Sequence, residues 1–164
     1  MIELTPELLS AERFSAYGDV IEASAAQRTG MNAARFDRFD NLARVETDAD
    51  GSPTIGLVRC RIVTTLPYQF DMVERHPYGS QAFIPLQQSP FVLVVAGPGE
   101  SVEAEDLRAF VTNGRQGINY HRGTWHMPLI GLEADQEFIV VDRGGPSPNC
   151  DEHQLEEPVM LLAT

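Results

Sequence analysis

After residue 50, the apolar residues of this sequence occur in short runs separated by turn-forming residues, and this pattern restricts the chain to a β-rich fold. The runs are rich in Val, Ile, Phe and Tyr, which favours strands over helices. They cover residues 55–63, 68–73, 82–86, 91–96, 125–130 and 138–141. Turn signals recur between them, among them Asn113-Gly114 and Arg122-Gly123. Regularly spaced short strands of this kind predict an all-β sandwich or barrel.

Two short helices and a polar tail complete the predicted organisation. Thr5-Pro6-Glu7 has the residues of a helix start, which predicts a helix over about residues 6–16. A serine followed by clustered acids predicts a second helix at 101–107, with the acids on a solvated face. Residues 147–158 are polar and are expected to form a surface tail before one last strand at 159–162.

The charge and length of the chain limit its partners. A chain of 164 residues predicts a single domain, 1–164, and no internal repeat or linker divides it. Its formal net charge of −12 repels phosphate backbones and anionic lipids, so neither nucleic acid nor a membrane surface is expected as a partner. All 12 basic residues are arginines, which excludes Schiff-base chemistry and a phosphate-loop lysine.

The cysteines and the N-terminus indicate a cytoplasmic protein. Cys60 and Cys150 have no C-x-x-C spacing and are too few for a disulfide scaffold, so they are interpreted as free thiols in a reducing compartment. The first residues lack the basic and apolar regions of a signal peptide. No apolar run approaches the roughly 18 residues of a spanning helix.

The residues with catalytic potential lie in two segments beside turn signals. In the first, Glu74 and His76 are two apart and share one face of a predicted strand, and a turn over 77–79 can fold Gln81 back beside them. In the second, a glycine turn precedes His126, at the start of another predicted strand. The two segments predict a shared polar pocket.

The spacing of both segments resembles that of cupins. The first has the spacing of motif one, H-x-H-x4-E, with Glu74 in place of the first histidine and Gln81 in place of the glutamate. The second has the spacing of motif two, P-x-G-x-x-H, over residues 121–126, with His121 in place of the proline. This resemblance implies a jelly-roll fold and a divalent metal held by Glu74, His76, Gln81 and His126. Two imidazoles and two oxygens are compatible with nickel, manganese, iron or zinc.

Longer strings are similar to the ureidoglycolate lyase family. They are FSAYGDVI at 14–21, ERHP at 74–77, QAFIP at 81–85, TNG at 112–114, GxNYH at 117–121, WH at 125–126 and DRGG at 142–145. The resemblance implies a homodimeric enzyme that cleaves (S)-ureidoglycolate to glyoxylate and urea. It also implies a divalent metal, nickel in the usual description of the family.

The reaction suggests roles for further residues. His121 and Tyr120 are candidates for proton transfer, because the turn that carries them leads to His126. An alternative without metal uses Glu74 as base and His126 as acid. Arg38 and Asn32 are candidates for binding the substrate carboxylate, since Arg38 lies in a segment that resembles the family.

Strand alternation directs Arg75 away from Glu74 and His76, which predicts a surface or dimer contact for this arginine. Two other functions stay open at this point. One is a hydrolase that releases ammonia from the same substrate, and the other is a non-catalytic cupin module that binds a small acid.

Overall fold

The computed structural model describes residues 1–24 and 27–163, whose regular secondary structure is almost entirely strand. The strands are β1 (Ile2–Leu4), β2 (Glu7–Leu8), β3 (Gly18–Ile21), β4 (Arg28–Met31), β5 (Phe36–Phe39), β6 (Ser52–Arg59), β7 (Tyr68–Arg75), β8 (Gln81–Pro85), β9 (Val92–Ala96), β10 (Arg108–Val111), β11 (Gly117–Tyr120), β12 (Trp125–His126), β13 (Glu137–Gly144) and β14 (Asp151–Leu161). A short helix, α1, covers Ala11–Phe14, and a 3₁₀ turn covers Ala104–Asp106.

Two sheets contain all of these strands except the β4–β5 hairpin, which stands apart. The larger has the order β1-β14-β7-β12-β9-β10-β2, and the smaller has the order β3-β11-β8-β13-β6. This arrangement is a cupin-like β-sandwich, as the sequence predicted. In the part of the chain described here, no helix is long and apolar enough to cross a membrane.

Strand β9 is buried on both faces, which explains its unbroken apolar sequence. Leu93 and Val95 pack against residues of the smaller sheet, including Phe83 and Ile118. The alternate β9 residues, such as Val94, belong to a second cluster on the other face of the larger sheet. The candidate site lies at one end of the cluster that contains Leu93, Val95, Phe83 and Ile118, where polar residues replace the apolar ones.

The predicted helix over 6–16 is wrong at its start. Glu7–Leu8 forms strand β2 beside β10, and the helix has only one turn, capped by the side chain of Ser10. An isolated helix of this length is unstable in water. Phe14, fully buried among aromatic rings, holds it against the sheets.

The polar tail predicted for 147–158 is also wrong. Residues Asp151–Leu161 form the long strand β14, which pairs with β7 and shifts register between Gln154 and Val159. Its exposed polar side chains resemble a tail in sequence, whereas Leu155, Val159 and Leu161 are buried.

Two further predictions are correct only in part. The second helix is shortened to the 3₁₀ turn, whose acids are exposed while Val102, Ala104 and Leu107 are buried. The run at 125–130 contains only the short strand β12.

Candidate functional site

Glu74 and His126 lie directly opposite each other on the neighbouring antiparallel strands β7 and β12. Opposed residues of such a pair project from the same face of the sheet. His76 follows β7 two residues after Glu74, and its ring lies 5.0 Å from that of His126, centroid to centroid. The structure therefore brings together Glu74, His76 and His126, which the sequence had assigned to one pocket.

Backbone carbonyl groups determine the tautomer of both imidazoles. His126 Nδ1 donates to the carbonyl oxygen of Thr124 at 3.0 Å, and His76 Nδ1 donates to that of Asn149 at 2.6 Å. A carbonyl oxygen only accepts, so in the neutral rings the proton is on Nδ1 and Nε2 carries a lone pair. Histidines that bind a metal through one ring nitrogen usually donate a hydrogen bond from the other, and the Nδ1 contacts of His126 and His76 are of this kind.

The two Nε2 atoms are buried and have no hydrogen-bond partner among the described residues. Ligand atoms of Glu74, His76 and His126 all lie within 4.8 Å of one another, with Glu74 Oε1 3.5 Å from His126 Nε2. Three electron-rich atoms that face one another are unfavourable unless a proton or a metal ion lies between them. This donor set fits a divalent metal.

The charge states support the same interpretation. Burial lowers the pKa of His126, which keeps this imidazole neutral near pH 7. A hydrogen bond from a protonated His126 Nε2 lowers the pKa of Glu74 below its usual value, although burial opposes this shift, and a metal ion in place of that proton would keep Glu74 a carboxylate in the same way. Metal ions bind histidine and glutamate in these forms.

A cavity of about 380 Å³ opens beside Glu74. Glu74 and Gln81 line it, together with apolar residues such as Phe83 and Phe138. The amide nitrogen of Gln81 donates to Asp142 Oδ2 at 3.4 Å. This contact does not use the amide oxygen of Gln81, which can accept a hydrogen bond or bind a metal ion. The cavity has the size of a small-molecule site.

Tyr120 packs against the site from the core. Its ring stacks on His126 with 4.3 Å between centroids, and Phe14 packs against the Tyr120 ring with 6.3 Å between centroids. Burial raises the pKa of Tyr120, so the phenol stays protonated. Its contact with His126 is compatible with positioning that imidazole.

His121 lies in a different cavity from Glu74. Its Nε2 is 3.1 Å from Asp19 Oδ1, and both residues line a second cavity near α1. Although partial burial opposes it, hydrogen bonds from Asn119 and His121 lower the pKa of Asp19. Proton transfer to the substrate by His121 or Tyr120 stays a prediction.

Arg38 and Asn32 belong to the β4–β5 hairpin, outside the Glu74 cavity. Arg38 lies on β5 and pairs with Asp40 at 2.7 Å, while Asn32 occupies the exposed turn with a φ of 54°. Their role in substrate binding stays a prediction.

Arg75 lies on the face of β7 opposite Glu74, as alternation predicted. It pairs with Asp151 at 3.0 Å and covers the Trp125 ring at 4.8 Å.

Residues 149 and 150 contribute contacts that the sequence did not predict. Besides bonding His76, Asn149 accepts from the backbone N–H of Tyr78 through its side chain. Cys150 Sγ lies 3.5 Å from Glu74 Oε2, and partial desolvation and the Glu74 charge raise the pKa of this thiol to about 11. In the sequence, the only indication of these contacts is a free cysteine, Cys150, near the end of the segments that resemble the family and about 75 residues after Glu74.

The sequence model of one family, described as ureidoglycolate lyase, matches residues 1–162. The chain belongs to the ureidoglycolate lyase family. Curated relatives agree with this assignment. A ureidoglycolate lyase of Pseudomonas savastanoi pv. phaseolicola is 45% identical over 163 residues, covering 99% of this chain and 95% of the relative. Another, of Azotobacter vinelandii, is 43% identical over 159 residues, covering 97% and 96%. The family resemblance inferred from the sequence is confirmed.

Proposed function

We propose that this protein is a ureidoglycolate lyase, which cleaves (S)-ureidoglycolate to glyoxylate and urea. One observation carries the proposal: in a chain of this family, a carboxylate and two imidazole lone pairs converge beside a cavity of small-molecule size. Ureidoglycolate is a carbinolamide, and its cleavage requires a proton to leave the hydroxyl group and a proton to reach the departing urea nitrogen.

Glu74, His76 and His126 would hold a divalent metal, with the Gln81 amide oxygen as a fourth ligand. The orphaned Nε2 atoms support this donor set, and the family resemblance suggests nickel. Such an ion supplies Lewis acidity, which lowers the pKa of a bound hydroxyl group.

In the alternative without metal, Glu74 is the predicted proton-transfer group whose position best supports the role, since it is anionic and lines the cavity. Its carboxylate accepts the hydroxyl proton as the carbonyl of glyoxylate forms and the C–N bond breaks. The same proton then passes to the urea nitrogen, so that one residue balances the reaction. Such positioned transfer contributes about 10²- to 10⁴-fold to a rate.

Product analysis tests the proposal. Purified protein is incubated with ureidoglycolate, and glyoxylate, urea and ammonia are quantified before and after exhaustive chelation. We expect glyoxylate and urea without ammonia, loss of turnover on chelation and recovery with nickel. Release of ammonia would identify a hydrolase, and turnover no faster than the spontaneous rate would indicate a binding module.

We also propose that the protein is a homodimer, as the family resemblance implies. The outer face of the smaller sheet supports an interface, because Ile55 and Leu57 on the edge strand β6 are 78% and 52% exposed. They pair with Val141 and Ile139 of β13, which extends the apolar surface. Exposed contiguous apolar patches commonly mark such interfaces.

Light scattering is expected to give about 36 kDa, twice the 18.1 kDa of the chain. Leu57→Arg should shift the mass to that of the monomer, since it introduces a charge into this apolar face. Leu8→Arg, at a residue 71% exposed on the other sheet, is the matched control and should stay dimeric. A dimer that Leu57→Arg leaves intact would exclude this face as the interface.

A further inference from the structure

The proposed substrate poses an electrostatic problem for this cavity. Ureidoglycolate carries a carboxylate, and it must approach Glu74 in a chain whose net charge is −12. A buried or half-buried anion is stabilised by a positively charged partner or by a metal ion. With no lysine in the sequence, an arginine side chain is the only permanent cation that the protein can offer.

Most of the arginines already have partners. Seven form ion pairs with carboxylates: Arg13, Arg28, Arg38, Arg44, Arg59, Arg75 and Arg143. Three donate hydrogen bonds from the guanidinium to carbonyl or amide oxygens: Arg108, Arg115 and Arg122. Within residues 1–24 and 27–163, only Arg35 and Arg61 have a side chain with neither type of partner.

Of these two, Arg61 lines the cavity that contains Glu74 and Gln81. Arg35 instead precedes β5 in the separate hairpin. Arg59 also lines the cavity, but Glu137 holds its guanidinium at 2.6–2.7 Å. A substrate carboxylate would have to displace that ion pair before it could bind Arg59.

The backbone around Arg61 forms an arch held at both ends. The N–H of Cys60 donates to the carbonyl oxygen of Gln136, and the N–H of Thr64 donates to that of Gly131, both at 2.8 Å. Arg61 and Ile62, between these two anchors, are exposed. The arch thus keeps an unpaired cation at the cavity while its side chain stays free to adjust to a ligand.

We propose that Arg61 binds the substrate carboxylate and makes the site selective for small carboxylate anions over uncharged analogues. The inference rests on the proposed function, because it assigns a residue to that same cavity. A guanidinium can donate two parallel hydrogen bonds to one carboxylate, which orients the anion as well as neutralising it. The contact exists in both the ground state and the transition state, so its loss raises KM more than it lowers kcat.

Steady-state kinetics of three variants test this assignment. We expect Arg61→Ala to raise KM for ureidoglycolate by about 10- to 100-fold, the usual cost of a charged hydrogen-bonded pair, with kcat nearly unchanged. Arg61→Lys keeps the charge but not the planar fork, so its KM should lie between those of the wild type and Arg61→Ala. Arg35→Ala removes the other unpaired arginine and should leave KM unchanged.

A neutral substrate separates charge recognition from a structural effect. With the carboxamide analogue of ureidoglycolate, Arg61→Ala should change KM little, because the analogue has no carboxylate for Arg61 to bind. The proposal would be overturned if Arg61→Ala raised KM equally for both substrates, or if its KM for ureidoglycolate equalled that of Arg35→Ala.

Calorimetry with glyoxylate distinguishes this inference from the proposed function. If wild-type protein fails to turn over ureidoglycolate but binds glyoxylate at least tenfold more tightly than Arg61→Ala does, the lyase proposal fails and the carboxylate site stands. If wild-type turnover is normal and both proteins bind glyoxylate equally, the lyase proposal stands and Arg61 is not the carboxylate partner.

Discussion

Replacing His126 by alanine is expected to reduce both bound metal and ureidoglycolate turnover at least tenfold, because it removes one of two imidazole lone pairs that face Glu74. The same result is expected for His76→Ala, whose ring is less buried than that of His126. Metal per chain is measured by mass spectrometry after reconstitution with nickel, and kcat is measured on the same samples.

His153→Ala is the matched control for these two variants. His153 lies against Trp125, with 5.8 Å between ring centroids, and does not belong to the Glu74 cluster. It should retain metal and turnover. Circular dichroism melting verifies that each variant is folded. Folded His126→Ala and His76→Ala proteins with full metal content and activity would refute the ligand assignment.

The largest expected effect on stability comes from Phe14→Ala. Phe14 is fully buried and packs edge-on against Phe110, and it anchors the one-turn helix α1. Truncation of a buried phenylalanine costs about 3–5 kcal/mol in the free energy of unfolding. At about 2–4 °C per kcal/mol, the melting temperature should fall by about 6–20 °C.

Phe36→Ala provides the same chemical change at an exposed position. Phe36 lies on the β4–β5 hairpin and is 58% exposed, so its truncation should alter stability by no more than about 0.5 kcal/mol. Both variants are compared with the wild type by thermal and urea unfolding. Equal melting temperatures for the two variants would show that Phe14 does not anchor α1 to the core.

The sequence correctly predicted the parts of the molecule that depend on short-range pattern. Strand alternation directed Glu74 and His76 to one face and Arg75 to the other, and the structure has this arrangement. The apolar run at 91–96 corresponds to β9, which is buried on both faces. These features follow from the two-residue period of a strand, which is local to the chain.

Predictions failed where pairing partners are distant in sequence. Residues 151–158 are polar enough to resemble a tail, yet they continue the strand predicted at 159–162 as β14, because β7, about 80 residues earlier, supplies hydrogen bonds to them. Likewise, Glu7–Leu8 is a strand because β10 lies beside it. Tertiary contacts commonly override local propensity in this way.

The sequence by itself determined the β-rich class, the family and the association of Glu74 and His76, since these depend on local spacing and on motifs in a fixed order. Only the tertiary structure decided that His126 lies opposite Glu74, that Asn149 and Thr124 orient the two imidazoles, and that Arg61 is an unpaired cation at the cavity. Apart from the local contact between His126 and Thr124, those features arise where segments distant in the chain meet. Neither strand periodicity nor charge composition specifies which carboxylate or carbonyl group each side chain will contact.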